Sequence, residues 1–375
     1  MVLFAGIVPV LCEDISRPLK RKRCCHMTQQ STLGNMKCKS SLCISAAVVS
    51  LTLLLLHSWD TVKVWNKLLF GYPLRTREEQ LFKLDVGWPR DPSLFTGIPY
   101  DVAVDHQNSL VYVAQRGDNV SKVLVFTEEG YFKESWNTNT LEMPHGIFAA
   151  INPKEQSIWI TDVGQGHYGH TVKQYSMSGK LLTTLGTPGS AGSALSPLQF
   201  DQPADIFVKA NGDVYIVDGD GGLNNRLLML TKDFNVQWTL GGNGTKPGQF
   251  YIPHCVAVDE FGRVWVADRG NKRIQTFDSI TGEWIGTWDT CFSEDGPYSV
   301  RITADRKYIV VAQLNISRLL FLSFPPIGHI GQCQVISAIQ MADGVRPHLV
   351  DVSLTTGAVY VAELGAQQVQ RYVYV

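Results

Sequence analysis

The chain has 375 residues, 33 Lys and Arg against 34 Asp and Glu, and 45% hydrophobic residues with only 18% charged. That much apolar side chain offsets chain entropy and excludes a disordered or fibrous protein. A formal net charge of −1 also excludes broad electrostatic binding to nucleic acid, which needs a basic face to release counterions from phosphates.

Residues 1–35 carry a basic run, Arg17, Lys20, Arg21, Lys22 and Arg23, without an apolar period, and no fold is assigned to them. Met36, Lys37 and Lys39 then lead into the apolar stretch LCISAAVVSLTLLLL, Leu42 to Leu56. As a helix this stretch rises only about 22 Å, short of a hydrocarbon core of roughly 30 Å, so 36–58 reads as a signal peptide. No A-x-A cleavage site follows in HSWDTVKVW, which leaves a signal anchor as the alternative; 59–78 is a linker. Either way the remainder is expected to be secreted or to face the secretory lumen. Three sequons agree with that compartment and mark Asn119, Asn243 and Asn315 for glycosylation. Five of the eight Cys (Cys12, Cys24, Cys25, Cys38 and Cys43) precede the linker. Of the rest, Cys291 and Cys333 flank one repeat and are expected to form a disulfide, and Cys255, inside an apolar strand, reads as a buried thiol.

From residue 99 the chain repeats itself. PYDVAVDHQNSLVYVAQRGDN (99–119) aligns with segments that open at Pro144, Pro203, Pro253, Pro297 and Pro347, giving six units. Each unit reads as a short strand, a polar turn, a second strand such as VYVA or VWVAD, and a third strand; most add a fourth. This predicts an all-β chain, a six-bladed β-propeller over 79–375. The sixth unit ends at Val375 with three strands, so Gln80 to Val86 (QLFKLDV) is predicted to supply its outer strand and close the ring.

His145, His254 and His348 begin the first strands of alternate units, which places them about 120° apart around one channel. Three converging imidazoles leave a fourth tetrahedral position for water or substrate, the layout of a catalytic zinc. Each His, taken singly, is equally explained as the start of a strand. Tyr100, Ala204 and Tyr298 hold the equivalent places in the other units. Antiparallel pairing puts the ends of second strands on the same face, and so brings Arg116 and Arg269 there. Their alternative partners are the carboxylates Asp162, Asp218, Asp268 and Glu363 at equivalent strand ends. His106, His167, His170 and His329 fall on turns and are expected to be solvated.

Through QRGDN, IVDGDGGLNNRL and VWVADRGNKRIQ the units resemble NHL repeats, and more distantly they are similar to the lyase domain of peptidylglycine amidating monooxygenase. The second resemblance implies a central zinc on His145 (MPH), His254 (IPH) and His348 (RPH), with Arg116 and Arg269 gripping a substrate carboxylate through their planar forks. It also implies a catalytic Tyr directly after the Asp-Gly that ends the second strand of the third blade. Here that stretch is Asp218-Gly219-Asp220-Gly221-Gly222, so only Tyr100, Tyr298 and Tyr168 are left as substitutes. Leu349 stands where the lyase has a calcium-binding Asp, which argues against calcium. The expectation is a binding module with a three-His zinc site, taking a peptide, a small carboxylate or a protein partner on its rim; a zinc-dependent lyase is the alternative. No nucleic acid is expected. Nor is ubiquitin machinery, since Cys24, Cys25, Cys38 and Cys43 form no zinc cross-brace.

Overall fold

The second strand of each repeat is a continuous run of apolar and β-branched residues, and such runs are stable only when covered on both faces. Val264–Ala267 shows the result: every residue is wholly buried. Outer strands read differently. In Val236–Gly241 (VQWTLG) half-buried and exposed residues alternate, the pattern of a strand covered on one face only. The computed structural model, describing residues 80–136, 138–152 and 156–375, arranges these strands as six four-stranded antiparallel sheets. The extension 1–35, the expected leader 36–58 and the linker 59–78 lie outside the described residues. Among the described residues no helix is long and apolar enough to cross a membrane.

The innermost strands are Ile98–Asp105, Pro144–Ile151, Pro203–Val208, Pro253–Val258, Ser299–Ile302 and Pro347–Val352, for blades one to six. Each packs on the next, and the last returns to the first, so the sheets form a ring. The core lies between blades. Tyr112 and Val125 of blade one pack with Ile158 and Ile160 of blade two, and Trp265 of blade four packs with Ile309 and Val311 of blade five. Each fully buried side chain of this size stabilises the fold by about 1.5–3 kcal/mol. The sixth sheet takes its outer strand from Phe82–Leu84, which pairs antiparallel with Gln368–Tyr374, Phe82 opposite Tyr374. It is shorter than the predicted Gln80–Val86. The Asp85 carboxylate accepts the Gly87 N–H at 3.0 Å and turns the chain away, leaving Val86 89% exposed. Phe82 is fully buried, its ring 4.6 Å from that of Phe321 and 4.2 Å from that of Tyr374.

A carboxylate at the end of the second strand fixes where the inner strand of its own blade begins. Asp162 accepts the N–H groups of Glu142 and Met143 at 2.8 and 2.9 Å, and Lys173 Nζ meets it at 3.0 Å. Asp218 accepts from Asp201 and Gln202 and pairs with Arg226; Asp268 accepts from Tyr251 and pairs with Arg273. Glu363 accepts from Arg346, Gly365 and Ala366. These four groups are buried and committed to their own blades. A disulfide joins Cys291 to Cys333, and Cys255 is a buried free thiol.

Candidate metal centre at one mouth of the channel

The inner strands do not pair regularly from their first residue. Register shifts fall between Pro144 and Ile147, between Pro253 and Cys255, and between Pro347 and Val350. Each His sits inside such a bulge, and a bulge re-aims the extra residue's side chain. Here it sends the three imidazoles into the channel, each buried to 3% exposure or less. Their ring centroids are 4.8–4.9 Å apart, and one ring nitrogen of each lies within 4.8 Å of the others.

The neighbouring blades set the tautomers. His145 Nδ1 lies 2.8 Å from the Ala204 carbonyl, His254 Nδ1 2.6 Å from that of Tyr298, and His348 Nδ1 2.6 Å from that of Tyr100. A carbonyl only accepts, so each Nδ1 carries a proton and each ring turns its Nε2 inward. The residues equivalent to the His in blades three, five and one therefore act through their backbone, as orienting partners. Burial holds His254 well below its ordinary pKa, helped by the Arg269 charge, and burial with the other imidazoles does the same for His348. Nε2 of His145 and of His254 is buried with no hydrogen-bond partner. Three convergent imidazoles, two of them with an Nε2 that lacks a hydrogen-bond partner, fit a divalent cation such as zinc.

One acidic residue joins them. Asp220 Oδ2 lies 3.0 Å from His145 Nε2, and Oδ1 lies 3.9 Å from His254 Nε2 and 3.1 Å from Arg269 Nη2. The turn carrying Asp220 is held by N–H groups of Gly219 and Asp220 on the Gln202 carbonyl, with Gly221 at φ 82°, open to glycine at little cost. Burial opposes the charge of Asp220, but His145, His254 and Arg269 outweigh it and hold its carboxyl well below the usual range. The sequence marks Asp220 only as the residue in the place of the missing Tyr; nothing in it shows that the turn folds back over the channel.

Arg269 thus already has a carboxylate partner, while its guanidinium lies 4.7 Å from the Tyr298 ring centroid. Arg116 stacks on Tyr100 at 3.4 Å and donates through Nε to the Pro144 carbonyl at 2.7 Å; its Nη2 is buried without a partner. Tyr100 and Tyr298 stand against the imidazoles, with centroids 5.1 and 5.2 Å from His348 and His254. Tyr168 packs on His167 instead. His170 is not solvated as expected: it is 3% exposed, with Nδ1 on the Asp201 carbonyl, because its left-handed backbone (φ 57°) folds it inward. Leu349 is buried in the core between blades four and five. Asn119, Asn243 and Asn315 are all exposed, but Asn315 Nδ2 is engaged by Asp295 at 3.0 Å and the Tyr298 hydroxyl at 3.2 Å.

Farther along the channel sits Arg301. Its guanidinium donates to the Val256 and Val300 carbonyls at 3.0 Å and to Asp205 at 3.2 Å, with Asp351 3.8 Å from Nε. Beyond it, at the other mouth, Arg301, Asp351, Phe148 and Phe207 line a cavity of about 660 Å³.

Sheet order, ring closure and repeat pattern together define a six-bladed NHL-repeat propeller. The NHL repeat pattern itself matches residues 250–277. The chain is 58% identical over 333 residues to NHL repeat-containing protein 3 of Homo sapiens, covering 88% of this chain and 95% of that protein. To the Mus musculus protein of the same name it is 56% identical, with the same coverage. The chain belongs to the NHL repeat-containing protein 3 family. It is also 31% identical to the peptidyl-glycine alpha-amidating monooxygenase of Mus musculus, over 53% of this chain but only 22% of that protein.

Proposed function

We propose that this chain is a secreted binding propeller that holds a zinc ion on His145, His254 and His348. The observation that carries the reading is the set of three imidazoles with one ring nitrogen of each within 4.8 Å of the others, each ring with its Nδ1 committed to a carbonyl. Zinc there supplies a Lewis acid for a peptide terminus or a small carboxylate. Arg116, with Nη2 buried and unpartnered beside the mouth, supplies a donor for such a ligand, and the rim around it is the surface for a protein partner. Protein purified without added zinc is expected to contain about one zinc per chain, and each single His→Ala variant to lose most of it. Absence of metal from the wild type, or stoichiometric zinc in all three variants, rejects the site. Secretion is tested separately: glycosidase treatment is expected to shift the mobility of the secreted protein through glycans on Asn119 and Asn243, whose amides are free of the contacts that hold Asn315. A cytosolic protein with no shift rejects it.

A second reading, a lyase acting on peptidyl-α-hydroxyglycine, is favoured by the three His and by the unpartnered Arg116. Against it, Asp220 stands in the place of the Tyr and Arg269 is already paired. A positioned general base contributes about 10²–10⁴-fold to rate. Glyoxylate release from such a peptide is expected to fall short of a true lyase by a factor in that range or more; a matching rate overturns the preference for a binding module.

A further inference from the structure

The contact between Asp220 and His145 is unusual in its donor count. His145 spends its Nδ1 proton on the Ala204 carbonyl, so in the neutral ring Nε2 is a lone pair, and it faces a carboxylate oxygen at 3.0 Å. Two acceptors at that distance repel unless a cation or a proton lies between them. His254 Nε2, equally without a hydrogen-bond partner, faces the other oxygen at 3.9 Å. In a tetrahedral site with bonds of 2.0–2.2 Å, neighbouring donor atoms lie about 3.4 Å apart; Oδ2 stands 3.0 Å from His145 Nε2 and the second oxygen, Oδ1, 3.9 Å from His254 Nε2, so the carboxylate is within a few tenths of an ångström of that spacing on each side.

We propose that Asp220 is the fourth ligand of the centre, closing a His₃Asp shell around the metal, and that Arg269 holds its carboxylate in place. The inference rests on the three-His metal reading and changes its character, because a closed shell has no position for water until Asp220 leaves. Arg269, 3.1 Å from Oδ1, is then a positioning residue of the kind that metal-bound carboxylates have as second partners. The glycines on both sides of Asp220, Gly219 and Gly221, let the turn approach the channel where a bulkier residue at positive φ would be strained. An external carboxylate can reach the metal only by displacing this internal one.

The test uses the full-length secreted protein, its Asp220→Asn and Asp220→Ala variants, and Zn²⁺ and Co²⁺ as probes. Zinc affinity, measured by competition with a chelator, is expected to fall at least about tenfold in both variants. The visible absorption of the Co²⁺-loaded protein is expected to respond to acetate in Asp220→Ala, where the fourth position is vacated, and not in the wild type. Thermal unfolding of the metal-free proteins checks that the variants fold; a variant that does not fold leaves the wild-type acetate response to decide. Zinc affinity within twofold of wild type in the folded variants, or a wild-type cobalt spectrum that shifts with acetate, shows an open fourth position and overturns the proposal. Failure of the wild type to bind either metal overturns the three-His reading itself, and with it this one.

Discussion

Arg301 is a buried cation among carboxylates. Burial, with repulsion from Asp205, raises the carboxyl of Asp101 well above its ordinary value, and burial raises that of Asp351, while the guanidinium pulls both back. Removing one partner from a buried charge network typically costs about 3–5 kcal/mol, so Arg301→Met is expected to lose stability of that order at pH 7. The sign with pH follows. Carboxyls whose folded pKa lies above the unfolded value contribute stability that is present at low pH and lost as pH rises through the folded pKa. Without Arg301 those values rise further, so the deficit of the variant is expected to shrink between pH 7 and pH 5 in urea unfolding. An equal deficit at both pH values would mean that lost packing, not uncompensated charge, is the cause. The three His could be read from sequence because Pro-His recurs in every second repeat. Arg301 and Asp220 could not, because what each meets depends on strands and turns far away in the chain.

At the scale of elements, the Cys291 to Cys333 bridge closes 42 residues, tying the turn after the outer strand of blade four to the segment before the outer strand of blade five. Loop-closure entropy for that length is on the order of 4 kcal/mol, and measured effects run lower. Replacing both Cys by Ser is expected to cost about 2–4 kcal/mol, and reducing agent is expected to produce the same loss in the wild type but none in the variant. A variant as stable as the wild type would show that the denatured chain is not constrained there. The strands themselves were legible, since VYVA and VWVAD carry their own period and the turns their own residues. The bulges that aim the imidazoles were not. A bulge is a property of pairing register, and Pro144-His145-Gly146 has no local mark that tells a bulged start from a regular one.

For the whole molecule, the repeat count announced the ring, and the missing strand of the sixth unit announced how it closes. Only the length of that strand was misjudged, because the Asp85 turn is local and polar within an otherwise alternating segment. Phe82→Ala is expected to cost about 3–5 kcal/mol, as a buried ring packed against two others is lost. A chain begun at Gly87 leaves the edge of Gln368–Tyr374 unpaired, and such edges recruit other strands. It is expected to melt lower and to self-associate on size exclusion; a monomer of unchanged melting temperature would show that closure is dispensable.

That closure also sets a timetable. Phe82 and Tyr374, which pair, are separated by 292 positions (374 − 82). At about 5–20 residues per second of translation, the first member waits some 15–60 seconds for the second. Throughout that interval Phe82 lacks Tyr374, and Val102 and Val113 lack the face of blade six that covers them in the finished protein. These apolar faces therefore stay uncovered until Gln368–Tyr374 has been made. A stop codon shortly before Gln368, which removes barely one strand, abolishes the pairing between the two ends of the chain.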